Sequence, residues 1–397
     1  MKLIKIFVLL TGLLFLTLPA GATNGMKIVG IGQIQRAMGG ANIALPLDAA
    51  CTITNPASLK AAGKRIDLGT TYFSPDVQYR ATGAPGYITQ DSARIESRTD
   101  GILIPTLGAI LPINQSLTFG LGLYGISGMG IDYPSNLYNN VTLSEYGFVK
   151  LAPAISYTLP SGLSFGFSPN FDYAFMSFLA GSIAELPHYD STSYGLGFTL
   201  GLHYPLSDFL AVGLAYESKQ IFQDFEFDTI RGKDKLNFDQ PQNIAAGIAY
   251  MPSSYLRFAL DIVWINWSQS NGTNQPNYTQ NSSNATPWNM DWNNQVVYKF
   301  GLEYDYNDQI SLRAGYNYGK TPLNTTRAFE NLAFPAVTEN HYTVGAGFKM
   351  TRSWQLNLGV MYSPESDFPT ANLNQGITAA ETTMSQYSID VGFSYIF

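Results

Sequence analysis

Apolar side chains alternate with polar or small ones along much of this chain, and this period of two constrains the fold more than any other feature. In residues 387–397, Tyr, Ile, Val, Phe, Tyr and Phe occupy every second position, and Ser, Asp, Gly, Ser and Ile lie between them. Residues 194–204 and 354–362 follow the same pattern. A period of two is that of a β-strand with one apolar face. Aromatic residues toward both ends of such strands are typical of a transmembrane β-barrel, whose apolar face contacts lipid.

The composition argues against a soluble protein. Charged residues make up 13% of the chain and aromatic residues 14%, whereas soluble domains carry roughly 25% charged residues. The net charge of −7 does not favour nucleic acid as a partner. Cys51 is the single cysteine, so an intrachain disulfide is excluded.

The first 22 residues have the organisation of a secretory signal peptide. MKLIK is a positively charged start, the next 13 residues form an apolar run, and Ala20-Gly21-Ala22 fits the small-residue cleavage rule. We expect cleavage after Ala22. The apolar run is a poor membrane span, which needs about 20 residues, and no later run approaches that length, so no transmembrane helix is expected. Export of a charge-poor strand protein points to the outer membrane of a Gram-negative bacterium.

The alternation predicts fourteen strands, an even number as in bacterial outer-membrane barrels. They span residues 64–73, 101–111, 116–128, 146–159, 163–178, 192–205, 209–225, 237–250, 255–268, 295–306, 310–318, 341–350, 354–363 and 387–397. Connections after the even-numbered strands are short, and those after the odd-numbered strands are longer and polar. This is the pattern of periplasmic turns and extracellular loops. Because unpaired backbone groups are costly in hydrocarbon, the first strand must pair with the last.

Residues 23–62 precede the first predicted strand and do not alternate. A barrel of about eight strands is filled by its own side chains, whereas 16–18 strands leave an aqueous channel. A fourteen-stranded lumen therefore needs a filler, and we predict that residues 23–62 form a plug inside a barrel of residues 63–397. The alternative is a disordered periplasmic tail, for which this segment is too apolar. Its apolar residues include Ile28, Val29, Ile31, Ile34, Met38, Ile43 and Leu45.

The plug sequence resembles a known family. RAMGGANIALPLDAACTITNPASL, residues 36–59, resembles the N-terminal hatch of the FadL/TodX family of outer-membrane transporters of hydrophobic compounds. The motif residues are Gly39, Gly40, Asn55, Pro56 and Ala57. Weaker matches, such as LRAGYNYGKTPL, extend over essentially the whole mature chain. The resemblance implies a plugged fourteen-stranded barrel for passive uptake of long-chain fatty acids or similar compounds.

The energetics of an apolar ligand favour release into the membrane. Burying one CH₂ group is worth about 0.8 kcal/mol, so release into periplasmic water loses what sideways release into lipid retains. The resemblance implies a lateral gate at a kink in the third strand. Glycines in strands mark bulges and bends, and here they are Gly120, Gly122, Gly125 and Gly128. The alternative is that these glycines only line the lumen.

The resemblance also implies a set of ligand-binding residues. Lys299 and Arg313 match basic residues of fatty-acid transporters, although lumen acids such as Glu303 or Asp305 are alternative partners. The mature N-terminus, consisting of Thr23, Asn24, Gly25 and Met26, is expected to reach into the ligand pocket. Met176 is expected beside the ligand in the fifth strand, where residues 173–178 lack the basic residues of fatty-acid members. This difference favours neutral aromatic or alkyl hydrocarbons as the alternative ligands. Apolar residues in segments 129–145 and 179–191 are expected to form a landing site at the cell surface, or to pack as ordinary loops.

Other functions have weaker support. Residues 162–166 match G-x-S-x-G, but a nucleophile elbow needs a strand, a turn and a helix. An outer-membrane lipase would need a serine–histidine pair on the lipid-facing wall, and no candidate pair is expected on one strand face. The hypothesis of a plain diffusion porin predicts a lumen without a plug. The three histidines lack metal-ligand spacing, so we expect no enzyme, cofactor or metal site. The expected partners of a monomer are hydrophobic small molecules, outer-membrane lipid and lipopolysaccharide, and the barrel-assembly machinery, which would recognise the last strand ending in Phe397.

Overall fold

The structure, a computed structural model, describes residues 24–83, 94–99, 101–134, 141–180, 189–229, 232–270, 278–279, 290–328, 330–370 and 377–397. The predicted signal peptide and Thr23 lie outside these residues. No helix in the described segments is long and apolar enough to cross a bilayer.

Fourteen antiparallel strands form a closed wall. Each strand pairs with its neighbours in sequence, and the last pairs with the first over residues 65–83 and 377–396. Two further two-residue strands, 95–96 and 221–222, add to this sheet. The wall strands are β1 (Arg65–Gly83), β2 (Ile102–Pro112), β3 (Leu117–Asp132), β4 (Val141–Thr158), β5 (Ser164–Ala180), β6 (Tyr189–Ser207), β7 (Leu210–Glu217), β8 (Asn243–Ser253), β9 (Leu256–Ile265), β10 (Gln295–Asp305), β11 (Ile310–Gly319), β12 (Asn340–Lys349), β13 (Trp354–Thr370) and β14 (Ile377–Ile396).

The predicted faces of the strands are confirmed. In β14, Tyr387, Ile389 and Phe393 are exposed on the outer face, whereas Ser388 and Asp390 are buried inside. The connections 113–116, 159–163, 208–209, 254–255, 306–309 and 350–353 are short and lie at one end of the barrel. The fold class expected from the sequence is therefore correct.

Several strands continue beyond their predicted ends at the long-loop end of the barrel. β1 ends at Gly83 rather than at residue 73, β13 ends at Thr370 rather than at 363, and β14 begins at Ile377 rather than at 387. Pairing between β1 and β14 continues there although the sequence no longer alternates. Strands that leave the hydrocarbon need backbone pairing but no apolar outer face, so the alternation underestimates their length.

The predicted seventh and eighth strands are too long. β7 ends at Glu217 and β8 begins at Asn243, and the intervening chain contributes two strands to a separate three-stranded sheet, whose third strand lies between β9 and β10. Its strands are Phe225–Thr229, Gly232–Leu236 and Tyr278–Thr279. Phe225 and Phe227 are buried. Their apolar alternation reflects burial in a cap at the long-loop end rather than contact with lipid.

Residues 24–62 lie inside the barrel as a plug. Three four-residue helices occur in it, α1 (Gln33–Arg36), α2 (Cys51–Thr54) and α3 (Leu59–Ala62), with a 3-10 turn at Pro56–Ser58. α1 packs against β1, β12, β13 and β14, whereas the 3-10 turn packs against β4, β5 and β6. The plug thus contacts several sides of the lumen, unlike a free tail.

Polar groups of the wall form hydrogen bonds and ion pairs with polar groups of the plug. Arg36 donates to Asp390 Oδ1 at 2.7 Å and to Ser388 Oγ at 2.9 Å. Asp261 Oδ2 accepts hydrogen bonds from the backbone N–H groups of Asn42 at 2.7 Å and Ile43 at 3.0 Å. Buried polar groups require such partners because an unsatisfied group retains its full desolvation cost. These contacts fix the plug in one position.

The hatch motif residues have local structural roles. Gly39 and Gly40 have φ values of 66° and 80°, in the left-handed region that glycine tolerates best. A Cβ on Gly40 would collide with Val29 O. Asn55 donates to Ile43 O at 2.8 Å and to Leu202 O at 3.0 Å, linking two plug segments to the wall. Pro56 begins the 3-10 turn that includes Ala57.

The Arg36–Asp390 pair generates a testable prediction. Arg36→Met leaves Asp390 as a buried carboxylate without its cation, which typically costs about 3–5 kcal/mol. We expect that loss in the free energy of unfolding in lipid, together with bursts of conductance in planar bilayers as the plug loosens.

The control is Arg80→Met, since Arg80 pairs with Glu381 while half of its side chain is exposed. Such pairs contribute about 0–1 kcal/mol. Equal stability of the two variants would show that the Arg36 pair does not hold the plug.

Candidate ligand cavity

The third strand carries a bulge beside the plug. The register between β3 and β4 shifts between Gly125 and Ser127, so that Ile126 is an extra residue on β3. Bulges bend a strand and interrupt its ladder. The predicted kink in the third strand thus coincides with a backbone irregularity.

The ladder between β2 and β3 ends at this bulge. Its last described pair is Thr106 with Tyr124, although β2 continues to pair with β1 as far as Ile102. Beyond Tyr124, β3 instead bonds to the plug: Ile28 N donates to Ile126 O, and Gly128 N donates to Met26 O, both at 3.3 Å. Ser127 Oγ also donates to Met26 O at 2.7 Å. The N-terminal segment 26–28 takes the place that β2 would occupy in a regular wall.

A cavity of about 170 Å³ lies at this split in the wall. The plug contributes Gly25, Met26 and Val29 to its lining, and the wall contributes residues of both faces. Leu103 is 67% exposed on the outer surface, and Phe175 shares the outer face of β5 with exposed Tyr173. Tyr146 and Phe148 contribute from the buried inner face of β4. Residues of the barrel interior and of the lipid-facing surface therefore border the same cavity.

The segment between β11 and β12 closes the cavity from the long-loop end. Residues 331–338 are buried, and Pro335 lines the cavity. Ser144 Oγ donates to Ala333 O at 2.5 Å, and Trp292 Nε1 donates to Asn331 Oδ1 at 2.6 Å. Trp292 packs edge-on against Trp267, with ring centroids 4.9 Å apart. Residues 331–338 thus separate the cavity from the space beyond the loops.

A second cavity, of about 90 Å³, lies on the other side of the N-terminal segment. Its lining is more polar and includes Asn24, Gln35, Asn42, Asp261 and Lys299. Residues 27–29 line both cavities. The N-terminal segment is thus a partition between an apolar compartment and a more polar one, whose lining combines apolar side chains with charged and amide groups.

A buried charge network holds this partition. Lys27 Nζ lies 2.8 Å from Glu217 Oε2, and Glu217 also accepts hydrogen bonds from Lys150 and Asn243. Burial lowers the pKa of the Lys27 ammonium, and the neighbouring Glu217 carboxylate opposes that shift. The alternation of β4 and β7 places Lys150 and Glu217 inward, but the sequence alone does not predict that they meet Lys27.

Comparison with known proteins supports an outer-membrane role. A model of the family described as outer membrane protein transport protein (OMPP1/FadL/TodX) matches residues 19–397. The chain belongs to the FadL/TodX family. The resemblance noted in the hatch sequence is thereby confirmed over nearly the full length.

Individual relatives of this family member are distant in sequence. Outer membrane protein P1 of Haemophilus influenzae is 22% identical over 320 residues, 69% of each chain. A Pseudomonas aeruginosa FadL homologue superimposes with a TM-score of 0.78 at 17% identity, covering 94% of this chain and 100% of the homologue. The toluene transporters TodX of Pseudomonas putida and TbuX of Ralstonia pickettii give TM-scores of 0.71 and 0.69 at 20% and 17% identity. Each covers 93% of this chain and 99% of its own. These structures establish the shared fold.

The two basic residues predicted to bind a ligand lie apart from the apolar cavity of this FadL/TodX protein. Lys299 Nζ donates to Val29 O at 3.3 Å and faces the second cavity. Arg313 pairs with Glu303 at 2.7 Å and donates to Asn357 at 3.0 Å, which is the lumen pairing considered as its alternative. The ligand role of both residues stays a prediction.

The other predicted ligand residues divide between the two cavities and the core. Gly25 and Met26 line the apolar cavity, and Asn24 lines the polar one. Met176 is fully buried in the apolar core, whereas its neighbour Phe175 lines the cavity. Thr23 lies outside the described residues.

The gate glycines have two different surroundings. A Cβ on Gly120 would approach Thr52 Cγ2 to 2.7 Å, and one on Gly122 would collide with Thr52 Oγ1, so these glycines make room for the plug. Gly125 and Gly128 line the cavity at the bulge. In the predicted landing segments, Met129 lines the cavity and Ile131 is buried, while residues 135–140 and 181–188 lie outside the described residues.

The G-x-S-x-G match leads to no catalytic arrangement. Ser164 lies opposite His203 in the β5–β6 register, but both residues are buried on the lumen side rather than on the lipid-facing wall that an outer-membrane lipase would need. Ser164 Oγ lies 2.8 Å from Thr158 Oγ1, and His203 Nε2 lies 3.1 Å from Ala44 O. The serine begins a strand rather than a helix. Within the described residues, no cluster of His, Cys, Asp or Glu is suited to a metal ion.

The charge network predicts the behaviour of a Glu217→Gln variant. Losing the carboxylate leaves Lys27 and Lys150 buried without their anion, which destabilises the N-terminal segment. We expect the backbone amides of Ile28 and Gly128 to exchange hydrogen at least about tenfold faster, as measured by mass spectrometry of the protein in lipid nanodiscs.

Glu226→Gln is the matched control because Glu226 pairs with Lys233 and Lys235 at the exposed surface. Its exchange at residues 26–28 should equal that of the wild type. Unchanged exchange in the Glu217 variant would show that hydrogen bonds to β3 alone hold the segment.

Proposed function

We propose that this FadL/TodX protein takes up compact, neutral apolar molecules passively and releases them sideways into the outer membrane between β2 and β3. The observation that carries the proposal is the cavity at the split in the wall. Its lining includes both plug residues and residues of the lipid-facing surface.

The surroundings of the cavity support a sideways exit. Downward passage would take an apolar ligand past the N-terminal partition and into the polar second cavity. Each CH₂ group exposed to water there costs about 0.8 kcal/mol. Passage through the split keeps the ligand in contact with apolar side chains and then with lipid, so little free energy of transfer is lost.

The size and charge of the cavity support a neutral ligand. An engineered apolar cavity of about 150 Å³ binds benzene, and the cavity here is about 170 Å³. The two cations in its lining are already paired, Lys27 with Glu217 and Arg36 with Asp390. Among the described residues that line this cavity, a carboxylate ligand would find no free cation. The toluene transporters TodX and TbuX have the same fold, which is consistent with this ligand class.

A fatty acid is the second candidate. Lys299 faces the polar cavity directly behind the partition. A tail in the apolar cavity and a carboxylate at Lys299 would require the segment 26–29 to move. Gas chromatography of organic extracts from the purified protein separates the two candidates, because fatty acids and neutral hydrocarbons elute as different species.

A size series at Gly128 tests the proposed route. Among the described residues outside its own chain neighbours, a Cβ on this residue would have only Tyr146 O within 4 Å, at 3.4 Å, and the residue lines the cavity. Gly128→Ala should reduce uptake of radiolabelled toluene by intact cells less than twofold. Gly128→Leu should fill the split and reduce it roughly tenfold or more.

Equal amounts of folded protein in the outer membrane, measured by heat-modifiable migration on gels, are the required control. Undiminished uptake by the leucine variant would exclude this cavity as the route. A large steady conductance of the wild type in planar bilayers would instead favour a diffusion porin.

Export and assembly remain predictions of the sequence. Phe397 is exposed at the short-turn end, with Lys64 Nζ 3.8 Å from its ring centroid. N-terminal sequencing of the protein from outer membranes tests cleavage after Ala22, since the expected first residue is Thr23. Deleting Phe397 should lower the assembled amount without changing the amount synthesised.

A further inference from the structure

Four methionines from four separate segments meet at the apolar cavity. They are Met26 of the plug, Met129 of β3, Met361 of β13 and Met384 of β14. All four are buried. The chain contains ten methionines in 397 residues, so four around one small cavity are a marked concentration.

The methionines surround the cavity from different directions. Met129 follows the bulge on β3, at one edge of the split in the wall. Met361 and Met384 come from strands on the far side of β1, and Met26 comes from the partition itself. A ligand in the cavity would therefore have thioether side chains on several sides.

Thioether sulfur interacts with an aromatic ring more favourably than an aliphatic group does. Sulfur is polarisable and makes favourable contacts with aromatic rings, often at the ring edge. The edge of an aromatic ring is electropositive and its face electronegative, whereas a saturated ring has no such quadrupole. The free energy gained by burying apolar area does not distinguish two rings of similar size, because that free energy scales with the buried area alone.

Methionine is also more adaptable than the branched residues that share the lining. It is unbranched and has three rotatable bonds, so it fills irregular gaps around ligands of different shape. Ile102 and Ile104 of β2, in contrast, are stiff at χ1. The methionines can adjust to substituents on a ring while retaining sulfur contacts.

We propose that Met26, Met129, Met361 and Met384 are specificity-determining residues that make the cavity prefer aromatic rings to saturated rings of equal size. The proposal rests on the uptake function proposed above. It goes beyond that function because cavity size and hydrophobicity alone predict no such preference.

The test compares uptake of toluene and methylcyclohexane, two rings of similar size, by cells that produce the full chain. Uptake by cells without the protein is subtracted. We expect the wild type to favour toluene about three- to tenfold. In Met361→Leu/Met384→Leu the ratio should fall toward one, while methylcyclohexane uptake changes less than twofold.

The matched control is Met251→Leu/Met350→Leu, which makes the same substitution twice away from the cavity. Its ratio should equal that of the wild type. Replacing methionine by norleucine during expression removes sulfur while keeping the side chain unbranched, and it should also lower the ratio. This second variant keeps the test decisive if leucine disturbs packing.

The outcomes separate the two proposals. Equal uptake of both rings by the wild type, or an unchanged toluene preference in both the leucine and norleucine proteins, would overturn the role of the methionines while leaving the uptake function intact. Uptake of neither ring above background would overturn the uptake function and, with it, this inference.

Discussion

The need of every backbone N–H and C=O group for a partner inside hydrocarbon underlies the whole structure. That need closes the sheet, because an open edge would leave a row of unpaired groups in lipid. β14 therefore pairs with β1 along the full length of both strands. The same requirement makes any opening in the wall costly, unless another segment supplies the missing hydrogen bonds.

The plug supplies such hydrogen bonds at one place in the wall, beside β3. Where β3 separates from β2, the backbone of residues 26–28 pairs with Ile126 and Gly128. The split in the wall is thus compatible with a satisfied backbone because the N-terminal segment acts as a short substitute strand. The Lys27–Glu217 pair holds this segment from its other side. Partition, bulge and cavity consequently form one unit, because the plug backbone bonds to β3 where the β2–β3 ladder ends.

The lumen combines two kinds of environment. Near the short-turn end, wall carboxylates and amides bond to the plug, as Asp390 does with Arg36. Toward the long-loop end, aromatic and methionine side chains form an apolar core under the cap. By its surroundings, the second environment favours an apolar molecule more than the first does. This division within one barrel supports the uptake of apolar molecules proposed above rather than a water-filled pore.

The alternation of residues 387–397 and the lengths of the turns sufficed to predict fourteen strands and a lumen that needs a filler, because one face of each strand must match lipid. The hatch motif identified the family and the plug. Only the tertiary structure decided that Gly125 and Gly128 line the apolar cavity while Gly120 and Gly122 accommodate Thr52, since all four look alike in sequence. It also brought together Lys27, Lys150 and Glu217, and the four cavity methionines, whose separations along the chain carry no signal. The local sequence pattern indicates whether a residue faces lipid or the lumen. A binding site, in contrast, depends on which distant residues become neighbours, and the register of the closed sheet determines that.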